Sequence, residues 1–576
     1  MSLTSSLLIG QTALSASQVA LQVTGNNIAN AATPGYHRQR VELSPLRGQM
    51  YGSGTFLGRG VGIADIQRMV DPALLARLRG SISDERAALT EQSVLARIES
   101  LTNELTGIDL SSELSEFFNR FSELANTPDA SVVRSTVVEQ GAALAGYIRS
   151  LRQDLVAART EIDGQLSFNI SRADSLCGEI ARLNEAITTS ELGQGEAGAL
   201  RDQRDALINE LAQLVDITVI EQDTGGVDIL VDSVPIVLGV DSRGLELETE
   251  STSNGLEVNV LVSSTQEELR ISSGTIGSLL AQREAAVTQM IDDVDALASA
   301  LIFEVNRLHS IGRPPGLLTD TTGWLRVPLA DQVLAMNDPA NETFAELPFA
   351  PRNGSFSVRI TDSEGNTTTT TIMVDLDGID STGVPGYGDD TTMEDIRAAL
   401  DAIPNLTATI TASGELRLTT AAGYDVSFES DSSGVLAVLG INTYFQGTDA
   451  LDIEVREELA ENPQLICIGL GEGTNETALA IAGLRDATSD LLNGDTLQGA
   501  WLRTTERVAV QASSANTRAQ ALGTVRASLE AQEAAISGVS LDEESINLLT
   551  YQQQYTGAAR FISLVNDLTR VLLDLV

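Results

Sequence analysis

The first 36 residues carry no Asp, Glu, Lys or Arg, yet their apolar and small residues recur with the spacing of a helical seam. Leu3, Leu7, Gly10, Leu14, Ser17, Leu21, Thr24 and Ile28 follow one another in alternating steps of four and three. That is the heptad repeat that keeps one stripe of side chains facing a partner helix. Ser, Thr, Gln and Asn stand between the seam positions, so the remaining surface is polar but uncharged and can lie against other protein without burying a charge. Thr33-Pro34-Gly35 then stops the helix, because Pro disfavours helical backbone in the residue before it and Gly supplies the reversal.

The other end mirrors this pattern. Leu541, Leu548, Tyr551, Tyr555, Ala558, Ile562, Val565, Leu572 and Val576 form one stripe, and Phe561, Leu564, Leu568, Val571 and Leu575 form a second beside it. Two adjoining stripes make a wide apolar face. A face of that width is sticky in an isolated molecule. The two ends are therefore expected to pair with each other and with neighbouring chains, and to stay largely disordered until neighbours cover them.

Between the ends, 576 residues exceed what one hydrophobic core organises, so several domains are expected. Helical periodicity runs through Val94, Ile98, Leu101 and Leu105, then Leu114, Phe117, Phe121 and Leu124, then Leu144 to Leu155, then Leu166 to Ile187. It returns from Val287 to Leu308 and from Trp501 to Ile536, so one bundle is assembled from separated segments. Short β-branched runs with tight-turn signals at Thr224-Gly225-Gly226 and Asn254-Gly255 predict a small β-domain over 215–271. A second β-rich module is expected over about 353–448, as two hairpins around a helix from Met393 to Ile403, with residues 312–351 as irregular connection.

The fold class is thus α+β multidomain: terminal helices forming a coiled coil, a discontinuous helical bundle and two inserted β-rich domains. The expected division is 1–50 with 540–576 as the coiled-coil core; 51–214 with 272–311 and 475–539 as the bundle; 215–271 as the small β-domain; and 312–474 as the outer domain.

Composition excludes several functions. A net charge of -44 opposes both nucleic acid and anionic membranes, which are held by basic side chains. The sequence contains no lysine, so Schiff-base chemistry and a Walker A loop are ruled out. Two cysteines, Cys177 and Cys467, and two histidines, His37 and His309, are too dispersed for a zinc-type ligand set or a catalytic triad. Cys177 reads as a small buried hydrophobe, with a structural disulfide to Cys467 as the alternative. No secretory leader or membrane span is visible, so export is expected to use another route.

Three further features read as structural. Gly469, Gly471 and Gly473 before a helical run imitate a dinucleotide loop, but Glu472 and Glu476 would repel the pyrophosphate. Asp375, Asp377 and Asp380 around Gly378, with Asp389 and Asp390 nearby, have carboxylates suited to calcium but lack EF-hand spacing, and read as solvated acidic turns. His37, beside Arg38, Gln39 and Arg40, reads as an exposed loop residue. No catalytic, cofactor or metal residue is therefore assigned.

The run Asn26-Asn27-Ile28-Ala29-Asn30-Ala31-Ala32-Thr33-Pro34-Gly35-Tyr36 resembles the N-terminal signature of the flagellar rod, hook and junction proteins. Gly60-Val61-Gly62-Ile63, Ile66-Gln67-Arg68 and Leu74 to Arg79 precede the bundle pattern and Asn126-Thr127-Pro128. Gly274 to Leu280, Asn306 to His309 and Ser537 to Glu544 follow. That order is similar to the hook-associated branch of the family. After Ile311 the sequence departs from the family pattern up to Thr448.

The resemblance implies a structural subunit at the hook-filament junction, exported through the flagellar type III apparatus without a cleaved signal. It implies a ring-like homo-oligomer, hook protein and a second junction protein as neighbours, and an export chaperone on the C-terminal helix. The expected assembly interface is Leu3, Leu7, Leu14, Leu21, Asn26, Asn27, Ile28, Asn30, Pro34, Gly35 and Tyr36 with Leu548, Tyr551, Tyr555, Phe561, Ile562, Val565, Leu568 and Leu572. Two other readings use the same residues: a hook or distal-rod subunit, and a secreted glycan-binding or hydrolytic protein whose active module is 353–448.

Overall fold

The computed structural model describes residues 3–51, 55–102, 109–191, 195–252, 255–471 and 473–574. Its contacts divide the chain into two compact units, one of residues 1–94, 162–282 and 513–576, the other of residues 95–161 and 283–512.

In the first unit the N-terminal helix (Leu3–Ala29) packs along the C-terminal helix (Leu541–Asp574). The pairing is antiparallel, since Gly10 lies against Ile562 while Asn27 bonds Glu544. A strand pair, Gln39–Pro45 with Val61–Arg68, lies against the N-terminal helix. Parts of the helices Pro72–Thr102 and Leu497–Ser537 meet through Leu74, Leu78 and Leu529.

The expectation of disordered ends is corrected here: both helices are formed and packed within one chain. The small seam residues explain it. Gly10, Ser17 and Thr24 are buried whereas Leu3, Leu7, Leu14 and Leu21 are half-buried, so the helices approach through small side chains. A Cβ on Gly10 would stand 2.6 Å from Ile562 Cγ1, which shows how close that approach is.

The same unit holds the 215–271 region as two antiparallel sheets, one of four strands within 218–242 and one of three within 245–268. The Thr224-Gly225-Gly226 turn joins the first two strands as expected, whereas Asn254 lies outside the described residues. Asn184 fixes the first sheet to helical residues by donating to the carbonyls of Val227 at 2.8 Å and Gly239 at 2.6 Å. Arg204, 2 % exposed, donates to Asn184 Oδ1 at 3.0 Å and to the Gly225 carbonyl at 2.7 Å. Burial pulls its guanidinium down to about 10.

The two helical patterns from Leu144 to Ile187 are one continuous helix, Ser131–Glu191, since neither Gly nor Pro breaks the 3.6 period strongly enough to end it. Leu105 lies outside the described residues. The Val287–Leu308 pattern opens with a π-turn, Arg283–Thr288, before the helix Gln289–Ser310.

The second unit centres on an aromatic cluster. Phe117 and Phe121 of the helix Leu110–Asn126 meet Tyr444, Phe117 also meets Phe445, and Phe118 stacks edge-on against Phe117, with centroids 4.7 to 5.8 Å apart across the cluster. Tyr444 is fully buried and its hydroxyl donates to the Val137 carbonyl at 2.8 Å. Asn306 Oδ1 accepts from the amides of Tyr444 and Phe445, so one side chain satisfies two buried donors.

The module expected at 353–448 takes a different topology. Strands Gly354–Asp362 and Thr367–Val374 form a hairpin, but Tyr424–Glu429 adds beside the first of them. Leu406–Ile410 and Leu416–Thr420 form the other hairpin, and Asp320–Thr322 from the supposed connection completes that sheet. The Pro- and Gly-rich composition around 312–351 hid a three-residue strand whose ladder comes from a distant partner, where local propensity carries little signal.

Candidate assembly surface at the chain ends

The residues expected at the interface fall into three sets. The first closes the seam. Ala16, Ser17, Ala20, Thr24 and Asn27 of the N-terminal helix are buried, as are Glu544, Ala558 and Val565 of the C-terminal helix. Leu548, Tyr551 and Ile562 are half-buried at this contact, and Ile28 is half-buried on the other helix.

The second set is the corner after the N-terminal helix. Asn27 Nδ2 donates to the Gln39 carbonyl at 2.9 Å and to Glu544 Oε2 at 3.1 Å. Its Oδ1 accepts from the Gln39 amide at 3.0 Å and from the Tyr36 hydroxyl at 2.8 Å. One amide thus pins the helix end, the first strand and the start of the C-terminal helix together. Desolvation first, then the charges of Asp202 and Glu544, push the Tyr36 phenol up to about 12. Asn30 Nδ2 bonds Asn26 Oδ1 at 2.9 Å and the Asn26 carbonyl at 3.0 Å, closing the last turn. Gly35 reverses the chain at φ 73°, a conformation few side chains adopt, directly after Pro34.

Beneath this corner lies an ion network that the sequence did not disclose. His37 is buried, not exposed: its Nδ1 stands 2.7 Å from Asp202 and its Nε2 3.5 Å from Glu533. Flanking arginines mislead here, because Arg38 and Arg68 turn inward to carboxylates rather than out to water. Arg38 pairs with Glu543 and Glu544 at 2.8 Å each, and Arg68 with Glu196, Asp202 and Asp205 at 2.8, 2.8 and 2.7 Å. Arg79 reaches Asp205 at 2.8 Å.

Burial alone would raise the Asp205 pKa, but Arg79 and Arg68 outweigh it and hold the carboxyl below its usual range. Burial likewise works against the Arg68 charge, yet Asp205, Asp202 and Glu196 leave that guanidinium more strongly protonated than usual. His37, Asp202 and Asp205 lie close enough for one cation, but the arginines already neutralise the carboxylates. The available signal was the acidic triad Asp542-Glu543-Glu544 at a helix N-terminus, where the helix dipole favours carboxylates and a nearby cation completes the pairing.

The third set faces outward. Phe561, Leu564, Leu568 and Val571 are exposed, and so are Leu541, Ile546, Leu549, Tyr555 and, on the other helix, Leu8. The second stripe read from the sequence is therefore the uncovered one. The side chain of Leu572, and Leu575 and Val576 altogether, lie outside what is described.

Elsewhere, Cys177 and Cys467 are free, buried thiols, and burial pushes each up to about 12. The Gly469 loop packs on Thr474 and opens a helix of eight residues, Glu476–Gly483. Asp375 and Asp377 gather with Asp390, while Asp380 is taken up in its own turn by the amides of Thr382 and Val384. Among the described residues no helix is long and apolar enough to cross a membrane.

Residues 95–315 match the model of the flagellar hook-associated protein FlgK helical domain, and residues 7–37 match that of the flagella basal body rod protein. Flagellar hook-associated protein 1 of Salmonella typhimurium is 24 % identical over 580 residues, covering 98 % of each chain. The protein of that name from Escherichia coli K12 is 23 % identical over 594 residues, again covering 98 % of each. A solved structure, the flagellar hook junction protein FlgK from Burkholderia pseudomallei, aligns with TM-score 0.48 and 14 % identity over 80 % of this chain and 100 % of its own. With the rod-protein signature at 7–37, the FlgK helical domain at 95–315 and relatives aligned along nearly its whole length, the chain is similar from end to end to the flagellar hook-associated protein 1 proteins.

Proposed function

We propose that this chain is the structural subunit of a flagellum that joins hook to filament, and that its paired terminal helices are the part through which copies assemble. The observation that carries this reading is the split character of the C-terminal helix. Val565 and Ala558 are sealed against the N-terminal helix, while Leu564, Leu568 and Val571 on the adjoining stripe remain in water. A monomer gains nothing from that stripe, whereas neighbouring copies that cover it bury several large side chains, each contributing about 1.5 to 3 kcal/mol. The uncharged face of the N-terminal helix supports the same reading, because it packs without ion desolvation.

On this reading the residues around Asn27 set the angle at which the helix pair leaves the body, and copies form a ring in the axis between hook protein and a second junction protein. Export runs through the type III apparatus, delivering the chain outside the cell without cleavage of a signal. A chaperone masks the outer stripe of the C-terminal helix beforehand. Residues 1–50 with 540–576 are the axial core, and no catalysis is involved.

The test is removal of the gene from the source bacterium. Electron microscopy should show hooks of ordinary form without filaments, restored by the intact gene. Filaments that still assemble on those hooks would sink the reading, and loss of the hooks themselves would move the protein to the hook or rod.

A further inference from the structure

We infer that the outer β-module binds one divalent cation, of the calcium class, through Asp375, Asp377 and Asp390. One carboxylate oxygen from each lies within 4.8 Å of the others. That is the span available to oxygens around calcium, which binds them at about 2.3 to 2.6 Å.

Crowded carboxylates are common in so acidic a chain, and the decisive observation is the state of Asp390. This residue is 3 % exposed, yet among the described residues it makes no ion pair with any arginine. Its Oδ2 accepts from Asn337 Nδ2 at 2.7 Å and from the Gly378 amide at 3.1 Å. Its Oδ1 is buried and meets no donor. Asn337, having given its amide nitrogen to Asp390, is left with a buried Oδ1 that also has no partner.

Buried oxygens without donors are unfavourable in protein and favourable beside a hard cation, whose ligands are carboxylate and amide oxygens. The geometry is held in place beforehand. The Thr391 amide donates to the Asp375 carbonyl at 2.7 Å, and Thr391 Oγ1 accepts from the Asp375 amide at 2.8 Å, so both ends of the loop are stitched together. A bound ion would tie the exposed Asp375 and Asp377 to the buried Asp390 and fix the loop ahead of the helix Met393–Asp401. Two exposed carboxylates, of which Asp377 also accepts from the Ile379 amide through Oδ1 at 2.8 Å, and one buried one suit the irregular coordination of calcium better than the strict octahedron of magnesium.

The experiment is calorimetric titration of the full-length chain, freed of metal by chelation, with calcium and separately with magnesium. One saturable calcium site is expected, in the range of about 10⁻⁴ to 10⁻³ M seen for extracellular modules, with weaker magnesium binding. The double variant Asp375→Asn/Asp377→Asn changes only exposed side chains, so its fold should persist, and its affinity should drop at least ~10-fold. Asp380→Asn should bind as the parent does, since its carboxylate is spent on its own turn. No saturable signal up to about 10 mM calcium, an unchanged affinity in the double variant, or an equal loss in Asp380→Asn would overturn the assignment.

Discussion

The terminal helix pair and the aromatic core around Tyr444 bury their apolar side chains to opposite extents. Phe117, Phe118, Phe121, Tyr444 and Phe445 are all buried, and each polar atom of Tyr444 and its neighbours has a partner within the same unit. In the C-terminal helix, by contrast, Ala558, Val565 and Glu544 are buried while most large apolar residues stay in water. The core is finished by folding. The helix pair is only half finished, and its outer stripe is stable in water because the seam beneath already holds the helices together. This difference separates residues whose loss should unfold the protein from residues whose loss should only stop it assembling.

The largest effect expected from this contrast is on assembly. Deleting Val565 to Val576 removes the end of both stripes but leaves the Asn27 corner and the aromatic core intact. The shortened chain should remain soluble and helical by circular dichroism, yet fail entirely to restore filaments in a strain lacking the gene. Aggregation, or loss of helix beyond the deleted turns, would show that the terminus holds the body together instead. Next in size is Phe117→Ala, which empties the centre of the core and should destabilise the chain by about 3 to 5 kcal/mol in denaturant unfolding. A loss under ~1 kcal/mol would mean that the core relaxes into the gap.

How far the sequence disclosed this contrast depends on the range of the interaction. The heptad seam, the two stripes of the C-terminal helix and the Asn26–Tyr36 corner were legible because each is written within one helix or turn. Asn27 was legible as a residue, but not its bond to Glu544, which is 517 positions away. His37 was misplaced for the same reason: its burial is decided by Asp202 and Glu533, not by its basic neighbours. The strand Asp320–Thr322 was missed because a three-residue strand owes its existence to Arg417–Thr419 rather than to its own propensity. Asp390 was noticed only as one more acid in an acidic loop. What sets it apart is an oxygen without a donor, and that appears only once Asn337 is in place.

The finished core should also answer to pH through His309. Its Nδ1–H donates to the Asn442 carbonyl at 2.8 Å, and its Nε2 accepts from the Cys467 amide at 3.0 Å. A second proton has nowhere to go without breaking the Cys467 bond, and complete burial pulls the imidazole pKa down to about 4. The unfolded chain binds that proton below about 6.5, so stability from this group is full above that pH and falls as pH drops toward 4. At about 1.4 kcal/mol per pKa unit the loss is roughly 3 kcal/mol. His309→Gln removes the titration, so the difference in unfolding free energy between pH 7 and pH 4 should shrink by that amount relative to the parent. An equal difference in both proteins would assign the acid sensitivity to other groups.

The smallest effects come from two consecutive residues on opposite sides of the unfinished surface. Val565 faces the N-terminal helix at 4 % exposure, whereas Leu564 is 58 % exposed on the outer stripe. Val565→Ala removes two buried methyl groups and should destabilise by about 1.5 to 2.5 kcal/mol, counting ~0.8 for each group and the cavity left behind. Leu564→Ala removes more carbon, but from water, and should shift stability by no more than about 0.5 kcal/mol. The order should invert for incorporation into the flagellum, where Leu564→Ala leaves a gap against the neighbouring copy and lowers the fraction of hooks that carry filaments. Equal destabilisation by the two substitutions would mean that the outer stripe is already covered within the monomer, and the distinction between finished and unfinished surface would fail at the helix on which it was drawn.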